Sequence, residues 1–553
     1  MSTLAFKSIT SHIDRMALEN PEMDALVVPT GKRVGGETEY THLSFKELKR
    51  ESEVIAAGLI KAGISKGSRT VLMLKPSLDF FVLTFAALKA GIVPIMIDPG
   101  LGVKNLKTCL QETHPEAFIG ISKAHVARIL FRWSKDSIKT LVTSGRRYFW
   151  GGYSLEDIKK LGRIDAGLQA PQIRPEDIAA ILFTSGSTGV PKGVVYQHKH
   201  LVAQVEMIKK TYNIKPGEID LPTFPFFALF DPALGMTAVI PNMDPTRPAK
   251  VDPRNLLEPI RRFNITNMFG SPALLNTFGR YCEKHTITLP SLKRIISAGE
   301  AVSPTVLDRF KHALSSTTEI YTPYGATESL PVSSIGSHEI LEHAKKKTEQ
   351  GAGTCVGKAV DSMEIAIIAI DDKPIEYWNE TLQLQQGEIG EIVVKGPPVT
   401  SSYYNRTAST QLAKIKDGKT IRHRMGDLGY FDREGNLWFC GRKGHRVETE
   451  NKCYYSVPCE GIFNVHPLVY RSALVSLTSD GAITPGVCIE LKNGKRSAKK
   501  DELFKELRTI GSSYDQTKDI QYFFIHPGFP VDIRHNSKIS RERLSRWAQK
   551  ELR

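Results

Sequence analysis

The sequence predicts an α/β protein with a large N-terminal domain of parallel α/β sheets, a small barrel-like patch and a small mobile α+β C-terminal domain. Apolar runs with strand and helix periods alternate through the first half of the chain. Around 385–440 the pattern changes to short strands with tight turns, and a smaller, more basic unit begins after Arg442. We therefore expect two domains, residues 1–442 and 443–553.

Helices and strands alternate near the N-terminus, where a predicted helix is followed by a β-α-β unit. "SFKELKRESEVIAAGLIKAG" begins with a capping box of Ser44 and Glu47 and continues with apolar residues at helical spacing. "RTVLML" has the character of a buried strand, "LDFFVLTFAALKAG" of a helix and "IVPIMID" of a second strand. This alternation predicts parallel strands covered by helices, with ligands bound beyond the carboxyl ends of the strands.

The elements predicted after about residue 385 differ from the alternating strands and helices of the first half of the chain. "GEIGEIVVKG" and "DLGYFDREGNLWFCGR" predict short antiparallel strands joined by tight turns. In the C-terminal unit, "SALVSL" and "GVCIEL" predict strands, and a helix is expected over 500–510. These segments account for the barrel-like patch and for the mixed character of the second domain.

Composition limits the classes of function. The chain has 553 residues and a formal net charge of +15, which suits anionic ligands or a weak peripheral membrane contact. No nucleic-acid recognition motif accompanies the charge, so we expect no nucleic-acid partner. We find neither an apolar run long enough to span a membrane nor a signal-peptide block, and we predict a cytoplasmic protein. The seven cysteines are scattered, which favours free, mostly buried thiols.

The stretch "FTSGSTGVPKG", residues 183–193, has the composition of a phosphate-binding loop. Glycine backbone can approach an anion closely, and hydroxyl and backbone N–H groups donate to it. The spacing matches neither the P-loop nor the dinucleotide-binding fingerprint. The loop follows the predicted strand "AAILFT" and precedes the predicted helix "HLVAQVEMIKKTY", which is where an α/β sheet binds ligands.

Two further motifs complete a pattern: "YTPYGATES", residues 321–329, and "RMGDLGYFDREGNLWFCGRK", residues 424–443. With the glycine loop, they resemble the adenylate-forming superfamily of acyl-CoA synthetases, luciferase-like ligases and peptide-synthetase adenylation domains. The resemblance runs from about residue 40 to the C-terminus. It implies that a carboxylate attacks the α-phosphate of ATP, that pyrophosphate leaves with Mg²⁺, and that ATP and Mg²⁺ are the cofactors.

The resemblance also implies roles for individual residues. Tyr324 would stack on adenine, Thr327 would contact the α-phosphate, Asp427 the ribose hydroxyls, and Arg442 the ribose and phosphate. Glu328 would hold the magnesium ion together with Thr188, because Mg²⁺ prefers oxygen ligands. The other nucleotide-binding candidates come from the loop, from "SAGEAV" and from "YGATES": Thr184, Ser185, Gly186, Ser187, Gly189, Lys192, Gly299, Glu300, Ala301, Gly325 and Ala326.

Adenylate-forming enzymes also use a lysine near the C-terminus, which stabilises the charge that develops during adenylation. Lys538, in "FPVDIRHNSKISRERL", is the candidate, although Ser537 stands where the family has glycine. The family's hinge residue, Asp or Lys, corresponds to Gly444, and the Gly-x-Arg segment that usually follows is missing. Both differences put the usual second reaction, attack by a thiol, in doubt.

"VPIMIDPGLG", "PEAFIGISKAHVARILFRW", "TFPFFALFDPALGMT" and "GRKGHRVET" resemble the β-lactone synthetases of bacterial long-chain olefin synthesis. That resemblance implies ATP-dependent activation of a long-chain 2-alkyl-3-hydroxy fatty acid, followed by attack of its own 3-hydroxyl to close a β-lactone. It also implies other enzymes of the same pathway as partners. A fatty acyl-CoA ligase or a fatty acyl-AMP ligase is the alternative.

The acyl pocket is expected to be apolar, and "FPFFALFDPALGM" supplies candidates for its wall: Phe226, Phe227, Phe230 and Asp231. Ordinary core packing explains the phenylalanines equally well, and Asp231 has the alternative of capping a helix. His198 and His445 are conceivable bases for the 3-hydroxyl. Neither histidine lies in a recognisable motif, which favours a structural role for both.

Overall fold

The computed structural model describes residues 6–164, 171–184, 191–479, 481–492, 500–531 and 539–552. The main β-structures of these residues are two large sheets, of nine and seven strands, and two smaller sheets, of six and three strands. The helices are Ile9–Glu19, Phe45–Lys61, Leu78–Lys89, Gly102–Thr113, Ser122–Leu130, Leu155–Arg163, His198–Thr211, Pro225–Ala228, Asp231–Leu234, Arg254–Arg262, Pro272–Lys284, Pro304–Lys311, Ser337–Glu339, Lys345–Glu349, Thr407–Ala413, Ser456–Phe463, Lys500–Ser512 and Arg541–Glu551.

The seven-stranded sheet contains the strands predicted near the N-terminus. Its spatial order is Tyr153–Ser154, Thr140–Ser144, Ala117–Ile121, Arg69–Met73, Val93–Met96, Ile178–Phe183 and Gly193–Gln197. Every pairing is parallel except the last, which is antiparallel. The predicted parallel arrangement is confirmed, and the strand before the glycine loop lies next to one edge of the sheet.

The nine-stranded sheet has parallel strands at its centre and antiparallel pairs at both ends. Its spatial order is Lys358–Ala359, Ser329–Gly336, Glu319–Ala326, Arg294–Ile296, Asn267–Phe269, Ile219–Pro222, Thr237–Val239, Asp24–Val34 and Glu37–Ser44. The pairings from Glu319–Ala326 to Asp24–Val34 are parallel. The "SAGEAV" and "YGATES" motifs therefore emerge from neighbouring strands.

Local signals in the sequence produce the expected helices. The predicted capping box is present, since Glu47 N donates to Ser44 Oγ at 3.3 Å and Ser44 N donates to Glu47 Oε2 at 2.9 Å. This helix crosses Leu155–Arg163 closely at Gly162, where a Cβ atom would lie 1.9 Å from the Val54 carbonyl oxygen. Glycine is required there because any side chain would overlap the neighbouring backbone.

The predicted barrel-like patch is a six-stranded antiparallel sheet. Five strands follow in the order Thr354–Cys355, Leu437–Arg442, Thr420–Phe431, Gly390–Lys395 and Glu364–Ile368, and Lys414–Asp417 also pairs with Thr420–Phe431. A buried ion pair lies within it: Arg424 Nη2 is 2.6 Å from Glu391 Oε2, and both side chains are only 2% exposed.

The C-terminal part contains a short pair, Val447–Glu448 with Cys453–Tyr454, and the three-stranded sheet Val469–Ser479, Ala482–Leu491 and Tyr522–Ile525. The segment after Arg442 is tied to the six-stranded sheet by ion pairs. Lys443 Nζ lies 3.3 Å from Asp372 Oδ1 and 3.4 Å from Glu391 Oε2, and Arg446 Nη2 lies 3.2 Å from Asp372 Oδ2. In the parts of the chain described, no helix has the length and apolar character needed to cross a bilayer.

Candidate active site

The two ends of the glycine loop are held together at the edge of the seven-stranded sheet. Phe183 is in register with Gly193, and Thr184 N donates to the Lys192 carbonyl at 3.1 Å. The antiparallel pairing explains this closure, because it returns the chain to the point where it left the sheet. The loop candidates Ser185, Gly186, Ser187, Thr188 and Gly189 lie outside the described residues, as does Lys538.

Tyr403 connects the loop to the "YGATES" motif. Its segment pairs with the strand after the loop, since Tyr404 N donates to the Gly193 carbonyl at 2.7 Å. The Tyr403 hydroxyl donates to Glu328 Oε1 at 2.6 Å, and Lys192 Nζ lies 5.0 Å from the centroid of the Tyr403 ring. Lys192 and Glu328 are thus brought together around one tyrosine. Tyr403 belongs to none of the three motifs and is not among the residues predicted from the sequence.

A buried lysine supports the same region. Lys414 Nζ donates to the Thr400 carbonyl and, at 3.3 Å, to Thr400 Oγ1, while Thr400 N donates to the Glu328 carbonyl at 2.9 Å. Burial lowers the pKa of Lys414 to about 7, and the Glu328 carboxylate acts in the opposite direction. Lys414 therefore adds a titratable group close to Glu328 that the sequence analysis did not identify.

The "YGATES" motif forms the turn between Glu319–Ala326 and Ser329–Gly336. A Cβ atom on Gly325 would lie 2.7 Å from the Ser329 carbonyl oxygen, so the close return of the chain requires glycine. The carbonyl of Thr327 accepts a hydrogen bond from the Tyr196 hydroxyl. The turn is thereby fixed against the strand that follows the glycine loop.

Tyr324, Asp427 and Arg442 form a second cluster. The Tyr324 hydroxyl donates to Asp427 Oδ2 at 2.7 Å, and Arg442 Nη1 lies 2.8 Å from Asp427 Oδ1. The Asp427 carboxylate raises the pKa of Arg442, and the more distant carboxylates of Glu328 and Glu300 act in the same direction. Burial, followed by the Asp427 charge, raises the pKa of Tyr324. Arg442 therefore lies in the field of carboxylates from three of the predicted motifs.

The "SAGEAV" segment follows the strand Arg294–Ile296 and reaches the same cleft. Gly299 has φ +99, a left-handed conformation that favours glycine, and both Gly299 and Ala301 are exposed. Glu300 is half-buried and near enough to Arg442 to affect its pKa. Of the three predicted residues of this segment, Glu300 thus interacts with the cluster of Tyr324, Asp427 and Arg442, through the charge of Arg442.

An apolar cavity of about 60 Å³ begins beside this cluster. Its wall contains Ala298 and Pro323, the neighbours of Gly299 and Tyr324, and continues through Phe227, Phe230 and Asp231. The Phe227 ring stacks on Phe269 with centroids 4.0 Å apart. Phe226 packs instead against Phe80, with centroids 6.2 Å apart. Three of the four predicted pocket residues line this cavity.

Neither histidine considered as a base lies in that wall, and His198 is buried while His445 is half-buried. His198 is the first residue of the helix His198–Thr211, and burial lowers its pKa to about 4. Burial also lowers the pKa of His445 to about 4, and its Nε2 atom lies 3.7 Å from Glu542 Oε1. These positions agree with a structural role for the two side chains.

The profile of the AMP-binding enzyme family matches residues 13–404. The olefin beta-lactone synthetase of Xanthomonas campestris pv. campestris is 48% identical over 554 residues, covering 99% of this chain and 98% of that protein. The long-chain-fatty-acid–CoA ligase of Salmonella typhimurium is 26% identical over 470 residues, covering 79% of each.

Among solved structures, the amide bond synthetase McbA from Marinactinospora thermotolerans superposes with a TM-score of 0.77 and 18% identity, covering 98% of this chain and 99% of that one. At this identity the likeness concerns the fold, and it confirms the predicted architecture. The family match and the near-complete alignment at 48% identity show membership of a protein family and not only a shared fold. The chain belongs to the AMP-binding enzyme family and, within that family, to the group of relatives named olefin beta-lactone synthetase.

Proposed function

We propose that this protein uses ATP to activate a long-chain 2-alkyl-3-hydroxy fatty acid as its acyl adenylate and then closes the adenylate to a β-lactone, releasing AMP and pyrophosphate. The observation that carries the proposal is the apolar cavity whose wall contains Pro323, the residue before Tyr324, which binds Asp427 in the cluster with Arg442. An acid bound there has its carboxylate next to the nucleotide and the part of its alkyl chains nearest the carboxylate in the cavity. The similarity to olefin beta-lactone synthetases supports the choice of substrate and product.

In this proposal the second cluster holds the nucleoside. Asp427 accepts hydrogen bonds from the ribose hydroxyls, Tyr324 stacks on adenine with its ring held by the hydrogen bond to Asp427, and Arg442 contacts ribose and phosphate. Glycine loop and motif residues surround the phosphates and the base: Thr184, Ser185, Gly186, Ser187, Thr188, Gly189, Lys192, Gly299, Glu300, Ala301, Gly325, Ala326 and Thr327. Phe227, Phe230 and Asp231 contact the acyl chain region.

Glu328 and Thr188 are the proposed protein ligands of magnesium. A magnesium ion bound with a nucleotide takes one or two carboxylates from the protein and completes its shell with phosphates and water. The Glu328 carboxylate fits, because the Tyr403 hydroxyl orients it and Lys192 Nζ lies 5.0 Å from the centroid of the same ring. The bound ion would neutralise the charge of the departing pyrophosphate.

Replacing Glu328 with Gln is expected to raise the magnesium concentration needed for half-maximal AMP formation, because one anionic ligand becomes neutral. The measurement is a magnesium titration of AMP release at fixed ATP. Glu349→Gln, on the exposed helix Lys345–Glu349, is the matched control and is expected to titrate like the wild type. An unchanged titration in Glu328→Gln would remove this residue from the metal site.

The second step needs no second substrate in this proposal. The 3-hydroxyl is covalently attached to the acyl group, so its attack on the carbonyl is intramolecular and benefits from proximity. This agrees with Gly444 in the turn Lys443–His445, at the position where the family has Asp or Lys. A fatty acyl-CoA ligase or a fatty acyl-AMP ligase, the competing functions, would instead pass the acyl group to a thiol.

We expect turnover of a 2-alkyl-3-hydroxy acid to proceed without CoA and to be indifferent to added CoA. The matched acid that lacks the 3-hydroxyl is expected to release about one equivalent of pyrophosphate per enzyme and then to stop, because its adenylate has no internal nucleophile. Pyrophosphate release and mass spectrometry of the products measure both outcomes.

The two acids are each other's control, since they differ only in the hydroxyl. If CoA restores steady turnover on the acid without the hydroxyl and an acyl-CoA accumulates, the lactone proposal is wrong and the ligase alternative replaces it. If the 3-hydroxy acid yields no lactone under any of these conditions, the proposed second step is also wrong.

We further propose that the chain divides into an adenylation core, residues 1–442, and a mobile lid, residues 443–553, that carries Lys538. In the described parts of the chain, each buried apolar cluster lies wholly on one side of residue 442, which supports this boundary. We also propose that the protein is cytoplasmic and that it associates with other enzymes of the olefin pathway. Its contact with membranes is at most peripheral in this proposal.

A further inference from the structure

The apolar cavity contains two buried carboxyl groups in its wall. Asp220 belongs to the strand Ile219–Pro222 and Asp231 to the helix Asp231–Leu234, and their residues are 5% and 4% exposed. The two carboxyl groups interact electrostatically, because the Asp220 carboxylate adds to burial in raising the pKa of Asp231. The cavity wall is otherwise mostly apolar, so this carboxyl pair is its conspicuous polar feature.

Asp231 has hydrogen-bonding capacity left over. Its Oδ2 atom is buried, and among the residues that the structure describes it has no hydrogen-bond partner. Its side chain does not cap the short helix that it begins, since the N-cap position is Phe230. The alternative that Asp231 serves as a helix cap is therefore wrong. A buried acceptor without a partner costs stability, and its position in a cavity wall points to a polar group of a ligand.

The groups around the pair leave its charge only partly compensated. Arg294 contacts Glu218 and donates to Asn267 Oδ1, and Asn267 Nδ2 donates to Glu218 Oε2 at 2.9 Å. The Arg294 charge is thus shared with Glu218, the residue two positions before Asp220. Burial raises the pKa of Asp220 and, together with the adjacent Asp220 carboxylate, that of Asp231. Two buried carboxyl groups this close favour the state in which only one of them is charged over the state in which both are.

We propose that the Asp220–Asp231 pair binds the 3-hydroxyl of the substrate through Asp231 and accepts its proton when the lactone closes. The inference rests on the proposed function and assigns the base of its second step. The hydroxyl O–H bond breaks and its proton goes to Asp231, while the proton that Asp231 already holds passes to the Asp220 carboxylate. The hydroxyl oxygen bonds to the carbonyl carbon, the bond from that carbon to the phosphate oxygen breaks, and AMP leaves with the electron pair.

This assignment answers a chemical requirement of the reaction. An alcohol is a weak nucleophile, and a positioned general base accelerates such a step by ~10²–10⁴-fold. A carboxylate with a raised pKa, held away from bulk water beside the hydroxyl, has the properties of such a base. His198 and His445 lie outside the cavity wall, whereas Asp231 is part of it.

Asp231→Asn tests the proposal in single turnovers with a 2-alkyl-3-hydroxy acid. Asparagine keeps the shape and a hydrogen bond but cannot take the proton. Formation of the acyl adenylate is expected to stay close to the wild-type rate, while its conversion to lactone falls by ~10²–10⁴-fold, so that the adenylate accumulates on the enzyme. Quenched samples analysed for acyl-AMP and lactone give the two rates separately.

Asp244→Asn, which makes the same change in an exposed turn, is the matched control and is expected to convert the adenylate at the wild-type rate. Asp220→Asn is the second variant, and its lactone-closing rate is expected to fall as well because the pair is broken. Thermal unfolding of each variant shows whether it is folded. If folded Asp231→Asn closes the lactone at the wild-type rate, or if it slows adenylation as much as closure, the proposal is overturned.

The pH dependence of lactone closure gives a second readout. The base must be unprotonated, so the closing rate of the wild type is expected to fall as pH decreases through the raised pKa of the pair. Asp231→Asn is expected to lose this dependence, and a wild-type profile that it shares would contradict the proposal. A wild type that makes no lactone at any pH would refute the proposed function instead, which keeps the two failures distinguishable.

Discussion

Replacing Lys538 with Ala is expected to slow the formation of the acyl adenylate by ~10²–10³-fold, while ATP binding stays nearly intact. Negative charge develops on the α-phosphate and the attacking carboxylate, and the proposed role of Lys538 is to donate to that charge in the transition state. Binding of ATP precedes this charge development and does not depend on it. Single-turnover AMP formation and equilibrium binding of ATP measure the two quantities separately.

Lys550→Ala provides the control for loss of a positive charge near the C-terminus, because Lys550 lies in the exposed last turn of Arg541–Glu551. That variant is expected to form the adenylate at the wild-type rate. Near-normal turnover of Lys538→Ala would show that another cation performs this function. Lys192, close to Glu328 and Tyr403, would then be the next residue to replace.

Arg424→Met is expected to lower the free energy of unfolding by about 3–5 kcal/mol, because it leaves the Glu391 carboxylate buried beside a neutral side chain. Arg424 also donates to the Lys373 carbonyl at 2.7 Å and to the Leu412 carbonyl at 3.2 Å, and these acceptors would lose their partner. Lys443, 3.4 Å from Glu391, compensates the charge only in part. Chemical denaturation followed by circular dichroism measures the change.

The double variant Arg424→Met with Glu391→Met tests the reason for this loss. Removing both charges together is expected to recover much of the stability, because burying a well-packed apolar pair avoids the cost of desolvating ions. Arg254→Met, in an exposed pair with Asp252, is expected to change stability little. A single variant as stable as the wild type would mean that water reaches Glu391.

The sequence predicted most of the fold because its signals are local. The capping box at Ser44 and the alternation of strands and helices depend on residues close in the chain, and both are confirmed. The order of strands in the nine-stranded sheet could not be predicted, because it pairs strands far apart, such as Asp24–Val34 with Thr237–Val239. Non-local pairing leaves no periodic trace in either segment.

In the candidate site too, some contacts could be predicted from the sequence and others could not. Asp427 and Arg442 stand in a recognisable motif and face each other across adjacent strands, so their contact was accessible from the sequence. Tyr403 and Lys414 belong to segments without a motif and reach Glu328 only through tertiary packing. The sequence indicates Asp220 only weakly, as a carboxylate inside the short apolar strand Ile219–Pro222. Its proximity to Asp231 becomes apparent only in the three-dimensional structure.

The ion pairs of Lys443 and Arg446 with Asp372 are expected to weaken as the ionic strength rises. Asp372, the shared acceptor of Lys443 and Arg446, is 69% exposed, so dissolved ions reach these contacts. At 1 M salt the screening length falls to about 3 Å, comparable to the separation of the charges. The buried pair of Arg424 and Glu391 is shielded from those ions. High salt is therefore expected to weaken the contacts of Lys443 and Arg446 with Asp372 while it leaves the buried pair of Arg424 and Glu391 intact.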